Sequence, residues 1–530
     1  MRTCLAAFFV FTAFFCEGQS PTFGPIQKAE KRGFYPQIVG ESKEEIYGMD
    51  ARFRKNILVS SFDKESLRSN YVKVIKLDGQ MGVVEDLVDY DFMNDKFVIF
   101  RSYYHRKEKR FDLDVHIVGA ARGRVIDRFN LLSKRVEKNL DRGFYDITYS
   151  PNKDAFVVSS FSYYKSLDKT IEKLIVFDDE FNQLAEKEFR FDGDMDEVSG
   201  ISAISVDDEG NVYFPAGRDL VILDVTADLE EWREPLALGE MESNAKLTDY
   251  TTSFDNQGNL VILGSYYTKD VKDRNENKSK ANNEEGDAQV VGLFYQKINT
   301  LTKAIIAANI SKFDPAFTKS DKSKRDRRKG YDGEIENNLT SYNIFHNEDG
   351  SLVAVTESYV KTTYRSAESG GVSGRTKDFK DIYAFKIEAD GRLKWAQRIN
   401  RNQQFFWGFG PLLFVRSSVG WLFSNVPYYG VNFFSHASYE EDGKINFIFN
   451  TDESNVGKKR MDLKRLKKVK KAKAINFDID ISSGELSQSS NATLSKPGLK
   501  MLTLSAYYSE LSEALFYVCL RKKDYCLAKM

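Results

Sequence analysis

The side chains best suited to metal binding or proton transfer are few and widely separated in this sequence. Its four histidines are His105, His116, His346 and His436, and none belongs to an H-E-x-x-H motif or to a zinc-type spacing with cysteine. Residues 370–374 (GGVSG) do not match the G-x-S-x-G motif that exposes a nucleophilic serine. We therefore expect no catalytic residue, no metal site and no cofactor, and we expect His116 and His346 to have roles in packing or solvent contact.

One acidic stretch, residues 192–197 (DGDMDE), superficially resembles a calcium-binding loop. An EF-hand needs Gly at its sixth position and Glu at its twelfth, where this chain has Glu197 and Ala203. We therefore interpret the stretch as a turn between two sheet units. Because the chain has 78 acidic residues, a catalytic pair of carboxylates cannot be selected by residue type alone.

A short strand, a polar turn and a second apolar strand recur along the chain. Three copies have similar turns: residues 205–214 (SVDDEGNVYF), 253–262 (SFDNQGNLVI) and 345–354 (FHNEDGSLVA). In such turns an Asp or Asn side chain bonds the backbone two residues on, and Gly supplies the positive φ that closes the turn. A second hairpin follows each copy, as in residues 174–183 and 382–395. Two hairpins per repeat predict four-stranded antiparallel units.

The spacing of these units is typical of a β-propeller. Predicted inner turns lie near residues 53, 95, 152, 208, 256, 348 and 441, and most steps are about 45 to 55 residues. An eighth unit near residue 510 shows three strands, and we expect residues 33–42 to supply its fourth. The predicted fold is therefore all-β: a β-propeller of seven or eight four-stranded antiparallel blades, closed by an N-terminal strand. An open array or two stacked β-domains is the structural alternative.

The N-terminus has the features of an export signal. Arg2 precedes the apolar run Leu5 to Phe15, which is too short to span a bilayer, and cleavage before Gln19 is predicted. We expect a signal peptide over residues 1–18 and a single propeller domain over 19–530. No later run has 18 apolar residues, and the net charge is −1, so neither a membrane span nor nucleic-acid binding is expected. Lipid attachment at Cys16 is disfavoured by the preceding phenylalanines.

Four segments exceed the repeat, at about residues 268–288, 315–336, 405–434 and 455–473. The third is rich in aromatic residues, and either an extra packed hairpin or a docking surface would explain it. Its candidate partner-binding residues are Phe406, Trp407, Phe409, Trp421, Phe423, Tyr428 and Tyr429. The fourth carries ten basic residues in sixteen, and either a solvated loop or strand extension, or an electrostatic contact with an acidic partner or lipid headgroups, would explain them. These basic residues are Lys458, Lys459, Arg460, Lys464, Arg465, Lys467, Lys468, Lys470, Lys471 and Lys473.

Two cysteines lie near the C-terminus within a predicted hairpin. If the turn centres on Lys522 and Lys523, Cys519 lies directly opposite Cys526. Directly opposed residues are within disulfide range, and an oxidising compartment would preserve the bond. A disulfide is therefore predicted, with two reduced, buried thiols as the alternative.

The outer-strand sequence Asp390 to Ile399 (DGRLKWAQRI), the turn NQGNLVI and the N-terminal signal resemble exported propeller-type proteins of Bacteroidota. The resemblance implies a location in the periplasm, at the outer membrane or outside the cell. The expected function is a non-catalytic binding or scaffold protein that holds a protein partner of the cell envelope, such as an outer-membrane assembly. The alternative is a carbohydrate-active or other hydrolytic enzyme with a site in the central channel.

Overall fold

The structure is a computed structural model, and it describes the repeat body with gaps at its longer connections. The described residues are 21–29, 35–53, 56–76, 83–136, 143–164, 169–192, 204–216, 218–237, 245–268, 290–314, 317, 339, 343–365, 372–408, 436–455, 463–466, 471–488, 494, 498–521 and 524–530. The predicted signal peptide, residues 1–18, and the acidic stretch at 193–197 lie outside them.

Thirty-five strands of the described residues form eight antiparallel sheets in a ring, which we number as blades 1 to 8. Two short strands, β1 (Thr22–Phe23) and β2 (Gln27–Lys28), precede the first blade. Blade 1 contains β3 (Gln37–Glu41), β4 (Glu45–Phe53), β5 (Asn56–Asp63) and β6 (Ser69–Lys76). Blade 2 contains β7 (Val83–Met93), β8 (Lys96–His105), β9 (Arg110–Gly119) and β10 (Arg124–Arg135). Blade 3 contains β11 (Phe144–Tyr149), β12 (Ala155–Tyr164), β13 (Lys169–Asp178) and β14 (Gln183–Asp192). Blade 4 contains β15 (Ser205–Val206), β16 (Val212–Ala216), β17 (Asp219–Asp224) and β18 (Glu230–Pro235).

The second half of the ring has the same plan with longer strands in blade 6. Blade 5 contains β19 (Ala245–Phe254), β20 (Leu260–Thr268), β21 (Val290–Ile298) and β22 (Ile305–Lys312). Blade 6 contains β23 (Asn343–His346), β24 (Leu352–Arg365), β25 (Val372–Ile387), β26 (Leu393–Ile399) and the added β27 (Gln403–Gly408). Blade 7 contains β28 (His436–Glu441), β29 (Lys444–Asp452), β30 (Ala472–Asp480) and β31 (Leu486–Gln488). Blade 8 contains β32 (Lys500–Met501), β33 (Tyr507–Ser509), β34 (Ala514–Arg521) and β35 (Asp524–Lys529). Short 3-10 helices occupy Val225–Ala227, Glu453–Asn455 and Thr503–Ser505.

The apolar residues of each blade pack against those of the next. Eight buried clusters occupy the eight seams between neighbouring blades, including the seam from blade 8 back to blade 1. In the last of these seams, Phe62 of β5 and Phe516 of β34 belong to one cluster. The middle strands are buried on both faces for this reason, whereas an outer strand such as β14 is exposed at most positions. The fold is therefore a closed, eight-bladed β-propeller, as predicted, and the larger of the two expected blade numbers is the observed one.

The turn of blade 5 has the predicted bond, since Asp255 accepts from the backbone N–H of Gln257, two residues on, at 2.9 Å. The turns also have a bond that was not predicted, to an asparagine four residues on. Asp207 accepts hydrogen bonds from the backbone N–H and side-chain amide of Asn211, at 2.7 and 3.0 Å, and the intervening Gly210 has a φ of +92°. Asp255 and Asn259 repeat the arrangement in blade 5, where the corresponding backbone bond is 2.8 Å. A positive φ at this turn position strongly favours glycine, so the turn sequence fixes where each hairpin reverses.

Ring closure uses a different part of the N-terminus from the one expected. β1 and β2 both pair with the edge of β35 and complete blade 8. The prediction that residues 33–42 supply this strand is wrong, because β3 pairs with β4 as the inner strand of blade 1. The predicted inner turn near residue 53 shifts accordingly to residues 42–44, between β3 and β4. The sequence QIVGE alternates in burial along β3, and that alternation is what a closing strand would also show.

Strand alternation gives the ring two faces with different connections. In blades 1 to 7 the turns between the first and second strands and between the third and fourth strands lie on one face, which we call the turn face. The connections from the second to the third strand, and from each blade to the next, lie on the opposite face, which we call the insertion face. This assignment follows from the antiparallel pairing alone.

Candidate functional site

All four predicted insertions leave the ring on the insertion face, and they do so at blades 5 to 7. The segment 268–288 joins the second and third strands of blade 5, and 315–336 joins blade 5 to blade 6. The segment 405–434 joins blade 6 to blade 7, and 455–473 joins the second and third strands of blade 7. Most of their residues lie outside the described ones, but the strand ends that flank them are described. The four large insertions predicted from the sequence are therefore grouped on the insertion face, at blades 5 to 7.

Blade 6 extends farther on this side than its ring strands require. β24 and β25 remain paired through Tyr359–Arg365, seven residues past Ser358, and β27 adds a third strand to the same extension. Phe406 and Trp407 lie in β27 opposite Thr376 and Arg375. The start of the aromatic segment is thus a strand that belongs to blade 6. The other candidate partner-binding residues, Phe409, Trp421, Phe423, Tyr428 and Tyr429, lie outside the described residues.

A buried carboxylate joins the two ends of the aromatic segment. Arg401, just before β27, donates from Nη2 to Oε2 of Glu357 at 2.6 Å, and its side chain is 0% exposed. His436, the first residue of β28, lies with Nδ1 2.9 Å from the same oxygen. Glu357 itself is a β24 residue and is 6% exposed. One carboxylate therefore binds the side chains of Arg401 and His436, which flank the aromatic segment on its two sides.

Charge balance explains why this carboxylate stays ionised. Burial alone would raise the pKa of Glu357, but the charge of Arg401 and the hydrogen bond from His436 outweigh it and hold the pKa well below the usual value. Asp381 supports the same bend, because its carboxylate accepts a bond from Nε of Arg398 at 2.7 Å and from the backbone N–H of Arg401 at 3.1 Å. The base of the aromatic segment is a rigid polar cluster.

The described part of the basic segment docks beside this cluster. Leu466 donates its backbone N–H to the Asn402 carbonyl at 3.0 Å, and Arg465 donates from Nε to the Asn402 side chain at 3.3 Å. Asn455 fixes the other side, since it accepts from the backbone N–H of Lys464 at 2.6 Å and donates to its carbonyl at 2.7 Å. Leu466 is fully buried, so this stretch is anchored by packing as well. The basic and aromatic segments are therefore neighbours.

Four of the ten predicted basic residues can be placed. Lys464 and Lys471 are exposed, whereas Arg465 and Lys473 are partly buried. The pKa of Asp452 is lowered chiefly by the Ser454 hydroxyl, and the charges of Lys464 and Lys471 lower it further. Those two lysines therefore lie on one side of blade 7. The remaining six basic residues lie outside the described residues: Lys458, Lys459, Arg460, Lys467, Lys468 and Lys470.

The innermost strands and the ends of their turns contact one another around the channel. Each of the eight neighbouring pairs shows a polar or ring contact that links one blade to the next. In ring order these contacts are Gln37–Tyr90, Asp91–Lys153, Asn152–Asp208, Ser205–Thr252, Ser253–His346, Asn343–Ser438, Tyr439–Tyr508 and Ser509–Glu41. These contacts therefore join every neighbouring pair of blades near the centre of the ring.

Two carboxyl groups with raised pKa values lie on the inner strands of neighbouring blades. Burial, together with the smaller effect of the Asp91 charge, raises the pKa of Asp89 on β7 to about 6. Burial also raises the pKa of Asp146 on β11. Tyr149 lies beside Asp89, and its own pKa is raised well above the usual value, first by burial. A carboxyl group that is partly protonated near neutral pH can act as a general acid.

The histidines lie apart in the structure. His116 is 2% exposed, lies 3.1 Å from the Tyr103 hydroxyl through Nε2, and has its pKa lowered to about 4, chiefly by burial. His346 contacts Ser253 at 2.9 Å within the ring of inner strands. No group of three or more His, Cys, Asp or Glu side chains with metal-binding geometry occurs among the described residues. His116 is therefore a packed core residue. His346 takes part in the contacts between neighbouring blades.

The two C-terminal cysteines have the predicted register. Cys519 of β34 lies directly opposite Cys526 of β35, and both thiols are fully buried. Leu515 and Met530 exchange both backbone bonds, at 2.8 and 2.9 Å, so every second pair, including the cysteines, is a hydrogen-bonded pair. Burial raises the pKa of the Cys519 thiol, and Cys526 raises it further. Residues of a hydrogen-bonded pair have their Cα atoms about 5.5 Å apart, which is within the range of a disulfide. The disulfide between Cys519 and Cys526 stays a prediction.

Sequence reasoning did not find the cluster at the base of the aromatic segment. Glu357 and His436 are 79 positions apart, and neither lies in a recognisable motif. The available signal was positional: Arg401 and His436 flank the aromatic segment at the points where it leaves and rejoins the repeat. Asn402, which holds the basic segment, was missed for the same reason. Within the described residues, no helix has the length and apolar character needed to cross a bilayer.

Comparisons with known proteins yield structural likeness only. No protein-family model and no curated protein matches the chain. Among solved structures, the chain is similar to the WD40 domain of SCAP from fission yeast, at 8% identity and a TM-score of 0.35, covering 96% of this chain and 97% of that one. It is also similar to the β-propeller domain of the Trilobed protease from Pyrococcus furiosus, at 8% identity, a TM-score of 0.30 and coverage of 82% and 89%. A post-proline cleaving enzyme from Rickettsia typhi gives 12% identity, a TM-score of 0.36 and coverage of 92% and 58%.

Proposed function

We propose that this chain is a non-catalytic, exported binding or scaffold protein of the cell envelope, which holds a protein partner on its insertion face. The observation that carries the proposal is that all four insertions leave this face at blades 5 to 7. In repeat proteins, additions to individual repeats accumulate on one face, and that face is often the binding face. Binding residues also concentrate on connections that a rigid body positions.

The cluster around Glu357 supports the same function. A buried ion pair at both ends of the aromatic segment fixes where that segment begins and ends, independently of its own conformation. Fixing the ends of a binding loop lowers the ordering entropy that a partner must overcome. Localisation in the periplasm or at the outer membrane, and an outer-membrane assembly as the partner, are part of the proposal and rest on the N-terminal signal and the resemblance to exported propellers of Bacteroidota.

The test is recovery of the partner from envelope membranes. We expect that replacing residues 411–430 with a short Gly/Ser linker weakens partner recovery and leaves the melting temperature within a few degrees of the parent. The matched control replaces residues 271–286, which contain no aromatic residue, in the neighbouring blade. Recovery by the control but not by the first variant supports the proposal. Unfolding of the first variant, or unchanged recovery by both variants, contradicts it.

A second candidate is a hydrolytic enzyme, such as a carbohydrate-active one, with a site in the channel. The pKa of Asp89, which burial and the charges of Asp91 and Asp146 together raise to about 6, favours it, because glycoside hydrolysis needs a protonated carboxyl group close to an ionised one. The envelope fraction or purified chain would be assayed on chromogenic glycosides, with Asp89→Asn as the variant. Turnover that Asp89→Asn abolishes would establish this function. Absence of turnover from the folded parent on every substrate class tested would leave the binding function as the account.

A further inference from the structure

Resting on the proposed function, we infer that the insertion face at blade 7 binds an acidic polypeptide segment of the partner, along the flank of the blade 6 extension. The surface consists of the exposed Lys464 and Lys471, the partly buried Arg465, and the backbone that Asn402 and Asn455 hold in place. The proposal names the class of partner that the binding function leaves open.

This basic surface is held in a fixed position by the residues around it. A solvated basic loop has no fixed relation to its neighbours, whereas Leu463–Leu466 is fixed at both sides. The carbonyl oxygen of Asn402 accepts a hydrogen bond from the backbone N–H of Leu466 at 3.0 Å. The side chain of Asn455 forms hydrogen bonds with both the backbone N–H and the carbonyl of Lys464. Leu466 is buried in the cluster that contains Phe379 of blade 6. Backbone bonds and an apolar anchor therefore present the Lys464 side chain outward.

The exposed part of this surface has a net positive charge. Lys464 and Lys471 are exposed and both act on Asp452, whose carboxylate is already engaged with the Ser454 backbone and hydroxyl. Glu453, next to Asp452, is also exposed, so the three positive charges of Lys464, Arg465 and Lys471 face the two negative charges of Asp452 and Glu453, and the net charge is positive. An exposed patch of one sign attracts a partner of the opposite sign and sets the rate and salt dependence of its association.

The height of the blade 6 extension favours a polypeptide over a lipid surface as the partner. Gln403 is paired with Phe379 at the base of the blade 6 extension, and Leu466 bridges to Gln403 there. The extension continues for seven paired residues of β24, Tyr359–Arg365, or roughly 20 Å at the rise of a β-strand. A flat bilayer would meet the end of this extension before it reached the lysines at its base. An extended peptide can lie along the flank and reach both lysines.

The experiment uses the full mature chain and a fluorescein-labelled poly-glutamate peptide, with binding followed by anisotropy at low and physiological salt. We expect Lys464→Glu/Lys471→Glu to weaken binding by about tenfold, which corresponds to about 1.4 kcal/mol, with the largest effect at low salt. Neither substitution removes a side-chain bond that positions the segment. The matched control is Arg106→Glu/Lys107→Glu, the same charge change at exposed residues on the insertion face of blade 2. The control should bind within about twofold of the parent.

Three results would overturn the inference. The first is no binding of the peptide by the parent chain, and the second is equal weakening of binding by both variants, which would indicate an effect of overall charge alone. The third is that the peptide does not bind while vesicles containing phosphatidylglycerol bind in a manner that depends on Lys464 and Lys471. Failure of the inference is distinct from failure of the proposed function. If Lys464→Glu/Lys471→Glu still recovers the envelope partner that the 411–430 replacement loses, the binding function stands and the acidic-segment assignment falls.

Discussion

Replacing Glu357 with Gln tests whether a single carboxylate holds both ends of the aromatic segment. The substitution keeps the shape and one acceptor oxygen but removes the charge that balances Arg401, whose side chain is 0% exposed. Breaking a buried ion pair from one side costs about 3–5 kcal/mol, because the remaining charge is left uncompensated. Since Gln can still accept a hydrogen bond from Arg401 or His436, we expect a loss at the lower end, about 3 kcal/mol.

The pH dependence of stability gives a second measure of the same interaction. The folded-state pKa of Glu357 lies below its unfolded value, so its contribution is present above the unfolded value of about 4.3 and is lost as the pH falls below it. The parent should therefore lose more stability than Glu357→Gln between about pH 5 and pH 3. Urea unfolding at several pH values measures this difference, and hydrogen exchange of peptides from β24 and β28 localises it.

The matched control for this prediction is Glu388→Gln in the same blade. Glu388 pairs with Lys394 at 2.9 Å, but the two side chains are 32% and 46% exposed. Exposed pairs contribute about 0–1 kcal/mol, so the control should change stability little. If Glu357→Gln costs no more than Glu388→Gln and has the parent's acid dependence, the cluster does not hold the ends of the segment, and the reasoning fails.

Three further predictions concern the closing strands, the partly buried Lys134 and the two C-terminal cysteines. Deleting residues 19–29 removes β1 and β2 and exposes the edge of β35, so size-exclusion chromatography should show aggregation; a monomer as stable as the parent would contradict the closing-strand assignment. Burial lowers the pKa of Lys134 from 10.5 to about 7, so the unfolded chain binds more protons than the folded one above pH 7. Stability should therefore rise from pH 7 to 9 by up to about 1.4 kcal/mol per pH unit more than in Lys134→Met, and parallel pH profiles of the two proteins would refute this. A disulfide between Cys519 and Cys526 closes a short loop and should add about 2.5 kcal/mol in the chain-entropy account; free, alkylatable thiols at both positions in envelope-isolated protein would end that prediction.

The parts of the fold that depend on local chemistry were predictable. The turns at Asp207 and Asp255 follow from an acceptor side chain, a glycine and an asparagine at fixed spacing, and these residues act within one hairpin. The register that opposes Cys519 to Cys526 also follows from the centre of one turn. Because each blade repeats these local signals, the four-stranded unit and the propeller could be predicted from sequence.

Ring closure could not be located from sequence, because the strands that perform it are too short to show a periodicity. β1 and β2 have two residues each, whereas β3 has five alternating residues and is the more obvious strand. What distinguishes them is pairing with β35, about 500 residues away in the chain, and alternation does not encode the partner. The predicted closing strand was therefore displaced by one strand, and the first inner turn with it.

The candidate site, like the fold, could be predicted from the sequence only in part. Its aromatic and basic segments were visible as departures in composition, but their contact through Asn402 depends on packing between blades 6 and 7. The ion pair of Glu357 with Arg401 joins residues 44 positions apart, and the bond with His436 spans the entire aromatic segment. Side chains that meet only after the blades assemble leave no spacing pattern in one sequence.

Site-specific photocrosslinking in intact envelopes tests most directly whether the insertion face at blades 6 and 7 is the binding surface. A photoreactive amino acid would be placed at Lys464 on this face and, as the reference, at Leu301 in a turn-face loop of blade 5, where the side chain is 89% exposed. We predict that the position at Lys464 crosslinks to a discrete envelope protein and that the position at Leu301 does not. Crosslinking to that protein from Leu301 alone, or no crosslink from Lys464 in folded, exported protein, would contradict the account.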